Sequence, residues 1–241
     1  MWSVCKKEFR QFFSSLTGYI AIAVFLLVNG LFLFVFPDNI LDFGYTALDR
    51  FFELAPMILL LLIPAITMRS FSDEFRSGTY EILQTKPLST WQIVGGKYLG
   101  ALLVVVIALI PTLIYAVSLN ALSFEQGLDT GGTAGAYLGL FFLSAVFVAI
   151  GICCSSLTNN AVVAFIASAF LCFVIYNGFE AISLIAGLGG SADYLIAMLG
   201  IDFHYKSISR GVVDTRDLIY FLSIILFFLV FTNRNLVRKY S

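Results

Sequence analysis

A charge-dense stretch, Arg69 to Lys97, lies between two long apolar segments and limits what this chain can become. It holds three acidic residues (Asp73, Glu74, Glu81) and four basic ones (Arg69, Arg76, Lys86, Lys97). The run Met57 to Met68 precedes it, and Tyr98 to Leu119 follows without a charge. Each Arg, Lys or Asp at the centre of a bilayer helix costs roughly 2.5–3.5 kcal/mol on insertion scales. The stretch is therefore expected in water at a membrane face, with the segments on either side crossing the bilayer. Composition agrees: 60% of residues are hydrophobic, 12% are charged and the mean hydropathy is +0.95. A soluble domain carries about 25% charged residues.

Within the stretch the spacing predicts short helices. Ser70 and Asp73 have the spacing of a capping box, as do Ser89 and Gln92, the second opening the helix that returns to lipid. Phe71 and Phe75, four apart, share a face, and Asp73 and Arg76, three apart, can pair. Gly78 can take the left-handed conformation that stops a helix. Tyr80 to Lys86 reads as one more short helix, ended by Pro87, because a proline disfavours helical geometry in the residue before it.

The string Met68-Arg69-x-Phe71-x-x-Glu74-x-x-x-Gly78-Thr79-x-Glu81-x-Leu83-x-x-x-Pro87-Leu88-Ser89, followed by Gly96-Lys97, resembles the first cytoplasmic loop of ABC-2 type transporter permeases. More narrowly, it resembles the gliding-motility-associated branch of that family. The resemblance implies a coupling helix that docks on a separate ABC ATPase subunit. Phe71, Glu74, Phe75, Arg76, Gly78, Thr79, Glu81, Leu83 and Pro87 are the candidate coupling residues. One loop gives one docking site, so a working complex needs a second permease subunit, alike or different.

Elsewhere the chain divides by hydropathy. Met1 to Thr17 is amphipathic, with Trp2, Cys5, Phe9, Phe12 and Leu16 on one stripe and Lys6, Lys7, Arg10 and Gln11 elsewhere. It is read as an interfacial elbow helix, which the resemblance also implies; the alternative is an ordinary basic flank of the first span. Spans are expected at Gly18 to Phe36, at a start between Tyr45 and Leu54 running to Met68, and at Tyr98 to Leu119. Three more are expected at Ala136 to Ser156, Ala161 to Gly178 and Leu218 to Phe231. Asn120 to Gly135 and Ser155 to Asn160 read as polar turns. Small residues on the fourth and fifth spans, among them Gly139, Ala145, Gly151 and Ala164, predict close helix packing. Residues 179–217 are too interrupted to span and are expected to form short re-entrant helices outside the cytoplasm.

The expected fold is an all-α integral membrane protein: six transmembrane helices in a single unit over residues 1–241. Orientation follows from Lys and Arg. The N-terminal segment, the central loop and the tail carry three, four and three, against Arg50, Lys206, Arg210 and Arg216 opposite. The positive-inside rule then puts both termini and residues 69–97 in the cytoplasm, with the chain in a bacterial inner membrane and in contact with its lipid.

No site for chemistry is legible. Gly95-Gly96-Lys97 is not a phosphate loop, since Trp91 and Tyr98 stand where the motif needs Gly and Ser or Thr. His204 has no partner at metal-ligand spacing, and the four cysteines read as buried, unpaired thiols. The scattered basic residues cannot neutralise a run of phosphates, so no nucleic acid is expected. No catalytic residue, cofactor or metal is expected either. A stand-alone secondary transporter or channel and a non-transporting membrane anchor remain as alternatives. The first predicts ionisable residues at mid-membrane, where Asn29 is the clearest polar residue.

Overall fold

The computed structural model of the chain describes residues 1–36, 48–122, 129–186 and 191–240, and among these no strand occurs. Five helical stretches are long and apolar enough to cross a membrane: Asp49–Ser77, Thr90–Ala121, Thr130–Leu157, Ala161–Ser183 and Thr215–Lys239. A sixth candidate is formed by Trp2–Phe13 and Gly18–Phe34, which meet at a bend of 71°. The elements are α1 (Trp2–Phe13), α2 (Leu16–Phe34), α3 (Asp49–Thr67), α4 (Arg69–Ser77) and α5 (Thr79–Gln84). They continue with α6 (Thr90–Leu109), α7 (Leu113–Leu122), α8 (Thr130–Leu157) and α9 (Ala161–Phe173). Three short helices, α10 (Phe179–Ala186), α11 (Ser191–Ala197) and α12 (Ile201–Ser209), precede the last, α13 (Thr215–Tyr240). The chain folds as an all-helical membrane protein.

Helix α8 is the axis of the bundle. Every residue from Leu143 to Ser156 is buried, and α3, α4, α6, α9, α12 and α13 all pack on it. Small residues make this possible: a Cβ added at Gly151 would run into Thr67 Oγ1 of α3. The peripheral helices turn apolar faces outward, Val163, Ile166 and Phe170 on α9 and Ile219, Leu222 and Leu226 on α13. Patches of that extent are a liability in water and ordinary against lipid.

Pro56 and Pro64 both lie inside α3. Pro56 has no N–H to bond the carbonyl of Phe52 one turn back, and the Tyr205 hydroxyl of α12 donates to that oxygen at 2.6 Å. The proline thus creates the acceptor that docks α12. His204, next to it, is packed rather than solvated: its ring nitrogens lie 2.6 Å from Asp217 Oδ1 and 2.9 Å from the Met198 carbonyl, and the ring stacks on Tyr220.

Several sequence-based boundaries shift. Helix α8 starts at Thr130, capped by Asp129, so Gly131, Gly132 and Gly135 are helical and not part of a turn. At its far end Ser155 and Ser156 are the buried last turn of α8, and the polar turn shrinks to Thr158–Asn160. The tail is no separate segment, since α13 runs on through Tyr240. All four cysteines are free and buried. Pro37, Asp38, Asp42, Glu125 and residues 187–190 lie outside the described residues.

Candidate functional site

One end of the bundle collects α1, α4, α5, the α8–α9 turn and the end of α13. Helix α4 continues α3, and Asp49–Ser77 forms one stretch of 29 residues, about 43 Å at ~1.5 Å per residue. The hydrocarbon core is ~30 Å thick, so the last turns stand clear of it. The two helices join at Met68, where α4 has no side-chain cap. Ser70 and Asp73 therefore form no capping box, and Asp73 lies 4.0 Å from Arg69 and not beside Arg76. The orphan amides at this join are served from α8. Ser155 Oγ accepts from the N–H groups of Phe71 (3.0 Å) and Ser72 (3.2 Å) and donates to the Met68 carbonyl (2.9 Å).

Lys97 is the centre of the site. It begins the long charge-free run of the sequence, yet its side chain is 0% exposed. Its ammonium lies 2.7 Å from Glu8 Oε1 of α1 and 3.0 Å from Glu74 Oε1 of α4, donates to the Ser70 carbonyl, and sits over the Phe71 ring. The ammonium thus makes two hydrogen bonds and a further ion pair to two other elements. Lys7 closes the cluster from outside, 2.5 Å from Glu74 Oε1. Burial alone would lower the Lys7 pKa, but its hydrogen bond and charge pairing with Glu74 outweigh that and raise it, so Lys7 is charged at neutral pH.

Two glycines let α1 reach this cluster. A Cβ at Gly96 would stand 2.8 Å from the Met1 carbonyl oxygen, and one at Gly100 would stand 2.8 Å from Glu8 Cβ. Helix α1 lies in the groove these residues leave on α6. Its buried face is Val4 and Cys5, while Trp2 and Leu16 of the apolar stripe are exposed.

The candidate residues split into two groups. Phe71 and Glu74 are buried, Phe71 against Phe75 and Tyr80, and Glu74 against the two lysines. Phe75 is partly buried and lies under Lys239 Nζ at 4.1 Å, which ties the end of α13 to α4. Leu83 is partly buried against the core. Arg76, Gly78, Thr79, Glu81 and Pro87 are exposed, and Ile82 joins them. Gly78 ends α4 with φ +69°, the left-handed geometry expected of it. The capping box of Ser89 and Gln92 forms as its spacing implied, with both reciprocal hydrogen bonds present. Among the described residues no group of three or more His, Cys, Asp or Glu could hold a metal ion.

The family model described as ABC-2 family transporter protein matches residues 2–225 of the chain. The chain belongs to the ABC-2 transporter family. A search of the curated proteins found no match. The chain is accordingly a multi-pass permease component of an ABC transporter, a family whose members pair with an ABC ATPase subunit.

Sequence reasoning missed Lys7, Glu8, Lys97 and Ser155 as parts of this permease's site. Lys97 carried a usable signal. It is a lone charge at the edge of a span, between glycines four residues apart, a pattern that leaves room for a crossing helix. Ser155 carried none, because only the tertiary fold sets it against the join at Met68.

Proposed function

We propose that this permease couples ATP hydrolysis by the separate ATPase subunit to export or movement of a substrate across the bacterial cytoplasmic membrane. Both termini and residues 69–97 lie in the cytoplasm, as the excess of Lys and Arg at that end requires. The exposed residues around α5, namely Arg76, Thr79, Glu81, Ile82 and Pro87, form the contact with the ATPase. The buried ones, Phe71 and Glu74, hold that contact rigidly to the spans. A second permease subunit completes the transporter. Within the family, the resemblance of the Glu74-to-Ser89 motif to the gliding-motility-associated branch supports a role of that kind.

One observation carries this reading: a helix continuous with the second span ends in an exposed tip and is fastened by buried Lys97 to the third span and to α1. A push on the tip must then move three elements together, because packed cores transmit displacement rather than absorb it. A stand-alone transporter fits less well. The buried ionisable side chains cluster near the ends of the bundle, Glu74 and Lys97 at one and Asp202, His204 and Asp217 at the other. Asn29, buried in α2, donates its amide N–H to the Phe25 carbonyl of its own helix, while its Oδ1 meets no partner among the described residues.

The test is coexpression with the partner ATPase. Arg76→Glu and Glu81→Lys should each weaken copurification about 10-fold, the ~1.4 kcal/mol of one lost interface contact, and lower ATP turnover in parallel. Transport by the permease alone in vesicles, or full turnover in both variants, would overturn the proposal.

A further inference from the structure

A pocket of about 210 Å³ opens where α1 turns into α2, against the join of α3 and α4. Its walls change character along its length. Ala21, Ala65 and Ile66 line the side toward the spans, whereas Gln11, Arg69 and Asp73 line the side beyond them. Along the continuous α3–α4 helix, Leu61, Ala65, Arg69 and Asp73 follow at intervals of four, so they share one face. That face begins at Leu61, 56% exposed among the apolar faces turned to lipid, and ends in a cation and an anion.

We propose that this pocket binds the headgroup of an amine-bearing phospholipid, with its acyl chains running down past Ala65 and Leu61. Charge decides the class of ligand. Glu8 in the pocket wall is already neutralised by Lys97. Arg69 and Asp73 remain, meeting only through Nε and Oδ2 at 4.0 Å, with side chains 52% and 33% exposed. A contact that long leaves the outer edge of the guanidinium open to a phosphate, which it can grip with two parallel N–H donors. It also leaves the Asp73 carboxylate open to an ammonium. A zwitterion carrying phosphate and primary amine meets both charges. An anionic glycerol headgroup meets only Arg69 and is repelled by Asp73. A trimethylammonium has no N–H to give the carboxylate. The pocket is below the ~300–1,000 Å³ of sites for drug-sized ligands and suits a headgroup whose tails stay in the bilayer.

Lipid binding at this pocket does not depend on the ATPase, so its test uses the permease alone. Full-length protein in detergent is titrated with phosphatidylethanolamine, phosphatidylcholine or phosphatidylglycerol, and bound lipid is counted by native mass spectrometry. Phosphatidylethanolamine should bind at least 5-fold more tightly than the other two. Arg69→Gln should remove most of that binding, and Asp73→Asn should erase the preference over phosphatidylcholine while retaining lipid. Soluble phosphoethanolamine should not displace the lipid. Equal binding of all three lipids, or wild-type selectivity in Asp73→Asn, a change at a half-buried side chain outside the Lys97 cluster, would overturn the site. Displacement by phosphoethanolamine would overturn its assignment to a membrane lipid.

Discussion

At the scale of residues, Lys97 decides whether α1, α4 and α6 act as one piece. A buried ammonium between two carboxylates adds little net stability compared with an apolar replacement of all its members. Removing Lys97 alone is another matter, because Glu8 then loses its cation in a mostly buried site and Glu74 keeps only the outer Lys7. Lys97→Met should destabilise the permease by about 3–5 kcal/mol, visible as a lowered thermal midpoint in detergent. The triple variant Lys97→Met, Glu8→Gln, Glu74→Gln should recover a large part of that loss. A single variant as stable as wild type would show that the cluster is not closed. Ser155 offers a second test. Ser155→Ala strips a partner from two N–H groups and one carbonyl, at about 1–3 kcal/mol, and the amides of Phe71 and Ser72 should exchange hydrogen faster. Ser156→Ala, whose hydroxyl donates within its own helix to the Cys153 carbonyl, should leave those amides protected.

Elements show what a sequence discloses and what it hides. The spans are legible because a run without charge has one stable environment, and Gly78 and Ser89-x-x-Gln92 are legible because their chemistry is local. Helix α8 begins earlier than its sequence suggests, because Gly131, Gly132 and Gly135 look like a turn. Their reason is tertiary: Gly135 meets Gly211 so closely that a Cβ would lie 2.8 Å from its Cα. The candidate residues come from one segment, but exposure cannot be read from spacing, so buried Phe71 and Glu74 stand beside exposed Arg76 and Glu81 without distinction. Two glycines make the element-scale test. Gly78→Ala meets nothing within 4 Å and is strained only by its backbone, so it should cost about 1–2 kcal/mol. Gly100→Leu instead drives a side chain into α1. It should leave α6 in place and make α1 accessible to protease or hydrogen exchange, while Gly78→Ala leaves α1 protected.

For the whole molecule, the structure brings the N-terminal helix, the central segment and the end of α13 to the same end, joined by Lys7–Glu74 and by Lys239 over Phe75. This arrangement accords with six crossings and with ten of the fourteen Lys and Arg residues on one side. The opposite end is closed by α12, pinned through Tyr205 to Phe52 and through His204 to Asp217. Force entering at α5 would reach it along α3, whose Phe52 carbonyl holds Tyr205, and through the axis of α8. The two ends should therefore be unequal toward the ATPase. A photo-crosslinking residue placed at Glu81, or in a separate variant at Lys206 on the opposite end, tests this directly in native membranes containing both proteins. A covalent adduct with the ATPase is expected from position 81 and none from position 206. An adduct from position 206 with none from position 81 would contradict coupling through α5.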